Sequence, residues 1–178
     1  MKKIFLITRG ITLEEENNYF SKLNSELSRK GLMQIENLAN ILNVVDYENI
    51  ICSDSRASMN SGEIIRNKNI FGFSKNIMVD IDLRERCTEN NKILNERLIY
   101  SKYIRSNFEN FNVGESGIAI WNRLQKFVNK LYYFKGKNII VTNPENVTII
   151  CRILERRDDI IVKDFGKMII YELEWFIL

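Results

Sequence analysis

The sequence predicts a three-layer α/β/α sandwich with a mostly parallel central sheet, and three observations carry that prediction. Short apolar runs alternate along the chain with segments of helical periodicity, the pattern of parallel strands joined by crossover helices. The runs over residues 2–8 and 138–142 each hold an unbroken apolar stretch, Ile4-Phe5-Leu6-Ile7 and Ile139-Ile140-Val141, as strands buried on both faces do. Polar residues able to cap a helix, Ser28 and the turn Ser53-Asp54-Ser55, stand just ahead of periodic segments.

Taken in order, residues 2–8 form the first strand and end at Gly10. After a long loop, Ser28 caps a helix whose apolar stripe is Leu32, Ile35, Leu38, Ala39 and Leu42. Residues 47–52 make a second strand, and the turn after it caps a helix through about Arg66. A short strand is expected over 76–81, followed by a polar segment over 83–91. Helical patterns resume over 93–109 and, after the turn at Gly114-Glu115-Ser116, over 118–133. Gly136 ends that helix, residues 138–142 are strand, and 147–154 form an apolar helix. Segments 160–162 and 168–174 are expected to pair as a C-terminal hairpin around Asp164-Phe165-Gly166.

The 178 residues fit a single domain spanning 1–178, with 45% hydrophobic and 28% charged residues. A net charge of +3, with both signs interspersed, argues against nucleic acid as a partner. No apolar run reaches the roughly 18 residues of a membrane span. The start, basic then apolar, is too short for a signal-peptide core, and a cytoplasmic location is expected. Cys52, Cys87 and Cys151 are widely spaced and read as buried free thiols. The chain contains no histidine, which excludes Ser-His and Cys-His nucleophile pairs. No cofactor or metal is expected.

In parallel α/β sheets, ligands sit at the carboxyl ends of the strands. There, Phe5-Leu6-Ile7-Thr8-Arg9-Gly10-Ile11-Thr12 resembles the opening motif of the histidine phosphatase (phosphoglycerate-mutase-like) superfamily, Leu-x-Arg-His-Gly-x-Thr. The resemblance continues in order. Leu27-Ser28-Arg29-Lys30-Gly31 with Gln34, Leu38 and Ala39 is similar to the family's next helix start. Cys52-Ser53-Asp54-Ser55-Arg56-Ala57-Ser58, leading to Glu63-Ile64-Ile65, resembles its Ser-Ser-x-Leu-x-Arg-Ala stretch. Leu83-Arg84-Glu85, Gly114-Glu115-Ser116 with Arg123 and Phe127, and residues 138–144 match its later motifs.

The resemblance implies a site in which one histidine attacks phosphorus, two arginines and a second histidine hold the phosphate oxygens, and a carboxylic acid protonates the leaving oxygen. Arg9 stands at the nucleophile, and a guanidinium has no free lone pair to attack phosphorus. Thr8, Ala57 and Asn143 stand at the two arginines and the second histidine; Arg56 is one place from the arginine position. Of the charged groups only Glu85 is in place.

Two readings of the altered pocket follow. Arg9, with Gly10, Arg56, Glu85 and Asn143, could hold phosphate or a phosphorylated small molecule. Otherwise Arg9 pairs with Glu85 and plugs the pocket. At the level of function, the first expectation is a catalytically inactive phosphatase-like pseudoenzyme that binds an anionic ligand, a protein partner or a second copy. The second is an enzyme with rewired chemistry, using Glu85 as acid and Arg9 as electrostatic clamp. Cys151 and Arg157 show the Cys-x5-Arg spacing of cysteine phosphatases, but the residues between them read as helix. The apolar terminus Trp175-Phe176-Ile177-Leu178 suggests a covered surface, and the mixed charges over 152–159 a solvated helix end.

Overall fold

The computed structural model describes residues 2–86 and 115–173. Five strands form one sheet: β1 (Lys2–Thr8), β2 (Asn49–Cys52), β3 (Ile77–Val79), β4 (Lys137–Thr142) and β5 (Met168–Leu173), in the order β3-β2-β4-β1-β5. All neighbouring pairs are parallel except β1 with β5. The described helices are α1 (Leu13–Glu16), α2 (Arg29–Leu42), α3 (Arg56–Lys68), α4 (Gly117–Leu131) and α5 (Pro144–Glu155).

Strand periodicity decides the layering. Along β1, Ile4 and Leu6 face one core with Ile51, Ile140, Phe127, Leu124 and Val147, on the side of α4 and α5. Phe5 and Ile7 face the other with Ile35, Leu38, Ile65, Ile139 and Val141, on the side of α2 and α3. Both faces of the sheet are covered, which is why its central strands are apolar without alternation. Side-chain caps start the four long helices: Ser28 accepts from Gly31 N, Ser55 from Ser58 N, Ser116 from Ala119 N and Asn143 from Asn146 N.

The expected hairpin is absent. Residues 160–162 carry no strand; instead the backbone of Val162 exchanges hydrogen bonds with Thr148 Oγ1 (N–H donated at 2.9 Å, carbonyl accepting at 3.1 Å). β5 pairs antiparallel with β1, from Lys2 with Leu173 to Ile7 with Met168. Only three residues are extended around 76–81, and α5 begins three residues before the apolar run that announced it, because Asn143 caps it and Pro144 fits its first position. The helix expected over 93–109, Cys87 and the apolar terminus lie outside the described residues.

Candidate functional site

The site is built where β1 ends. Arg9 N donates to Thr142 O at 2.8 Å, extending the β1–β4 ladder by one bond, and Gly166 N donates to the carbonyls of Thr8 and Arg9 at 3.1 Å each. The Thr8 hydroxyl accepts from Lys167 N at 2.7 Å. The backbone of residues 8–9 is therefore held from two sides. Gly10 and Gly31 then meet: a Cβ on Gly10 would lie 2.5 Å from Gly31 O, and one on Gly31 2.1 Å from Ile11 O. Only two glycines let the exit of β1 cross the start of α2 this closely.

Arg9 is fully buried, at 0% exposure. Its Nε donates to Glu85 Oε1 at 2.5 Å and its Nη2 to Glu85 Oε2 at 2.7 Å, a forked pair. On its other edge Nη1 and Nη2 donate to Glu15 Oε2 and Oε1, both at 2.8 Å. Nη1 also reaches Gly10 O at 2.9 Å, and Nη2 reaches Ser21 Oγ at 2.8 Å. A guanidinium has five N–H donors, and every nitrogen here is engaged inside the protein. The Phe165 ring covers the guanidinium, 5.4 Å from Cζ to the ring centre.

The two carboxylates are as well held as the cation. Glu85 also accepts from Ser55 Oγ and Ser21 Oγ, both at 2.8 Å. Glu15 completes a capping box on α1, accepting from Thr12 N at 3.0 Å while its own N–H donates to Thr12 Oγ1 at 3.2 Å. Burial alone would raise the Glu85 carboxyl, but the Arg9 charge and the hydrogen bonds from Arg9, Ser21 and Ser55 outweigh it and hold its pKa below the ordinary value. Burial alone would lower the Arg9 pKa, and Glu85 and Glu15 reverse that, raising it well above the ordinary value. One positive and two negative side chains face one another, so the cluster repels a further anion.

Of the residues singled out from the sequence, Arg9, Gly10 and Glu85 come together. Thr8 and Asn143 flank them but are otherwise engaged: the Thr8 hydroxyl on Lys167, and the Asn143 side chain as the cap of α5, accepting from Asn146 N at 2.9 Å. Ala57 is buried in the first turn of α3 and adds no charge. Arg56 is not part of the cluster; it lies 54% exposed and pairs with Glu26 at 2.8 Å. Glu15 and Ser21 were not singled out, although Thr12-x-x-Glu15 is a capping-box pattern visible in the sequence. Cys151 sits inside helix α5, which continues to Glu155, so the residues after it form no phosphate-cradling loop, and burial pushes its thiol pKa up.

A second group of ion pairs lies beside the first. Arg86 forks onto Glu145 with both side chains nearly buried, and Arg86 Nη1 donates to Glu115 O at 3.0 Å. Arg123 holds Glu115 at 2.7 Å and donates to Asp82 O at 2.7 Å. These contacts fasten the starts of α4 and α5 to the segment carrying Glu85.

Fold and site together define an α/β domain whose charged cluster occupies the carboxyl ends of parallel strands, where this class of sheet binds its ligands. Residues 4–164 match the model of the histidine phosphatase superfamily, branch 1, and the chain belongs to that family. No curated protein matches it by sequence. Among solved structures it is similar to a mycobacterial glucosyl-3-phosphoglycerate phosphatase in complex with VO3 (TM-score 0.83, 16% identity, covering 98% of this chain and 93% of that one). It is also similar to YhfR of Bacillus stearothermophilus (TM-score 0.80, 18% identity, 98% and 92%) and to the α-ribazole phosphatase of Shigella flexneri (TM-score 0.77, 16% identity, 97% and 91%). At such identities the likeness is one of fold.

Proposed function

We propose that this chain is a non-catalytic member of the histidine phosphatase superfamily, its phosphoryl-transfer pocket closed by an internal ion-pair cluster and its scaffold kept for binding. The observation that carries the reading is the saturation of Arg9. The residue at the nucleophile position is a fully buried cation whose nitrogens are all engaged by Glu85, Glu15, Ser21 and Gly10. With no histidine in the chain, no phosphohistidine can form on it.

The same cluster weighs against the two competing readings. Phosphate at Arg9 would have to displace two carboxylates that already satisfy the guanidinium, and the absence of a second arginine at Ala57 leaves nothing to offset the displaced charge. A rewired enzyme using Glu85 as general acid needs a proton on that carboxyl, and its surroundings favour the ionised form. Para-nitrophenyl phosphate, with and without divalent metal, is expected to give no turnover above background. Turnover that disappears in Glu85→Gln would overturn the proposal. Orthovanadate, chemically close to the VO3 bound by the mycobacterial phosphatase, is expected to leave the melting temperature unchanged at millimolar concentration.

A further inference from the structure

The Phe165 ring that covers Arg9 also lines a groove between α2 and the turn over 163–167, with a volume of about 580 Å3. Its lining is mixed: Ile11, Leu38 and Ile41 from one side and Phe165 from the other supply apolar surface, with Ile41 62% exposed, and Gln34 and Asn37 of α2 lie among them. Its rim is basic. Lys30, Lys163 and Lys167 line it against a single acid, Asp164, which sits a loose 3.8 Å from Lys167. Among the described residues neither Lys30 nor Lys163 has an ion-pair partner.

The groove is built, not incidental to a loose turn. Gly166 takes φ +63°, and a Cβ there would lie 2.6 Å from Gln34 Cβ, so the turn presses against α2 at a point only glycine permits. Gln34 in turn accepts from Ile11 N at 3.1 Å, fixing the neighbouring wall. Gly166 N is tied to the ends of β1, and Lys167 N to Thr8. The turn therefore has little freedom to fold into the groove and fill it.

We infer that this groove binds a small organic anion with an apolar, ring-sized body, the body lying on Ile41, Leu38 and Phe165 and the anionic group between Lys30 and Lys163. Charge complementarity selects the anion, and the volume lies within the roughly 300–1,000 Å3 of small-molecule sites. The apolar part of the lining separates such a ligand from free phosphate, which would gain nothing from Ile41, Leu38 and Phe165. The site is distinct from the closed pocket at Arg9, so its occupancy does not depend on the proposal for that pocket.

The test is isothermal calorimetry of the full chain with 1-naphthyl phosphate, against inorganic phosphate and 1-naphthol. Saturable binding of 1-naphthyl phosphate is expected, about tenfold or more tighter than either control, since each lacks one half of the recognition. The charge reversal Lys30→Glu/Lys163→Glu alters two exposed side chains and is expected to weaken binding by about tenfold or more while leaving the circular dichroism spectrum unchanged. Amide shifts in a nitrogen-15 spectrum are expected at Gln34, Phe165 and Gly166. Absence of saturable binding, equal binding of inorganic phosphate, or unchanged affinity in the double variant would overturn the assignment. None of these outcomes bears on turnover at Arg9, so the two proposals fail separately.

Discussion

At the scale of single residues, Arg9 and Glu85 are the pair on which the site depends. Removing one partner of a buried pair costs about 3–5 kcal/mol, because the other charge stays buried without compensation. Arg9→Ala leaves both Glu85 and Glu15 in that position, and urea denaturation is expected to show a loss in this range. Arg9→Met combined with Glu85→Leu and Glu15→Gln removes all three charges of the cluster and is expected to recover much of the loss; a triple variant no more stable than Arg9→Ala would show that the charges themselves are needed. The pH dependence follows from Glu85, whose folded pKa lies below that of the unfolded chain. Between the two values the unfolded state binds the extra proton, so stability rises with pH there. The contribution of Glu85 is fully present above the ordinary carboxylate range near about 4.3 and is lost as pH falls through the lowered folded value. Acid titration of wild type against Glu85→Gln, followed by the melting temperature, is expected to show a steeper loss for wild type below about pH 4. Arg9, with its pKa raised, stays charged throughout that window.

At the scale of elements, the crossing of β1 and α2 is the tightest constraint, and it too can be tested. In Gly31→Ala the added methyl would lie 2.1 Å from Ile11 O, which is backbone and cannot rotate away. Overpacking of this kind costs about 1–3 kcal/mol or more, and a fall in the urea midpoint of that size is expected; an unaffected midpoint would mean that α2 can slide at no cost. The elements that the sequence made legible are those whose signals are local. β1 and β4 show as apolar runs, and α2 and α3 show through their serine caps and apolar stripes. β5 was legible as a strand but not in its partner. Pairing around Asp164-Phe165-Gly166 looked local, yet Val162 is drawn to Thr148 on α5 while the exposed edge of β1 takes β5. Strand partnership is a tertiary property, set by which edge is open, and no turn motif encodes it. The site shows the same division. Arg9 and Glu85 emerged from the family motifs, whereas Glu15 on the short helix α1 and Ser21 in the loop beyond it reach Arg9 only through the folded path of the segment after β1. Arg56, adjacent in sequence to the arginine position, faces Glu26 instead, because a one-residue step on a helix turns a side chain by about 100°.

At the scale of the whole molecule, the proposal of a non-catalytic scaffold can be tested by introducing histidine at the strand ends. The fold places the ends of β1 and β4 side by side, so Arg9→His/Asn143→His would set two histidines at adjacent strand ends, where the motif resemblance expects them. The environment around them differs from the one that resemblance implies. Glu15 and Glu85, now held by Arg9, would face each other across an imidazole without the guanidinium, and Ala57 and Thr8 supply no cation to receive phosphate. Asn143 is also the cap of α5, whose loss costs about 1 kcal/mol. Two like-charged carboxylates sharing a buried site raise one another's pKa, and the field they leave disfavours both a phosphate dianion and the developing charge of transfer. The double variant, once circular dichroism shows it folded, is therefore expected to turn over para-nitrophenyl phosphate at background rate and to trap no phosphohistidine in a single-turnover assay. Turnover is expected only when positive charge returns with the nucleophile, as in the fivefold variant that adds Thr8→Arg, Ala57→Arg and Glu15→Gln to the two histidines. Activity in the double variant alone would show that the scaffold needs no arginine clamp, and that the carboxylate cluster around Arg9 is a local accommodation rather than a barrier to phosphoryl transfer.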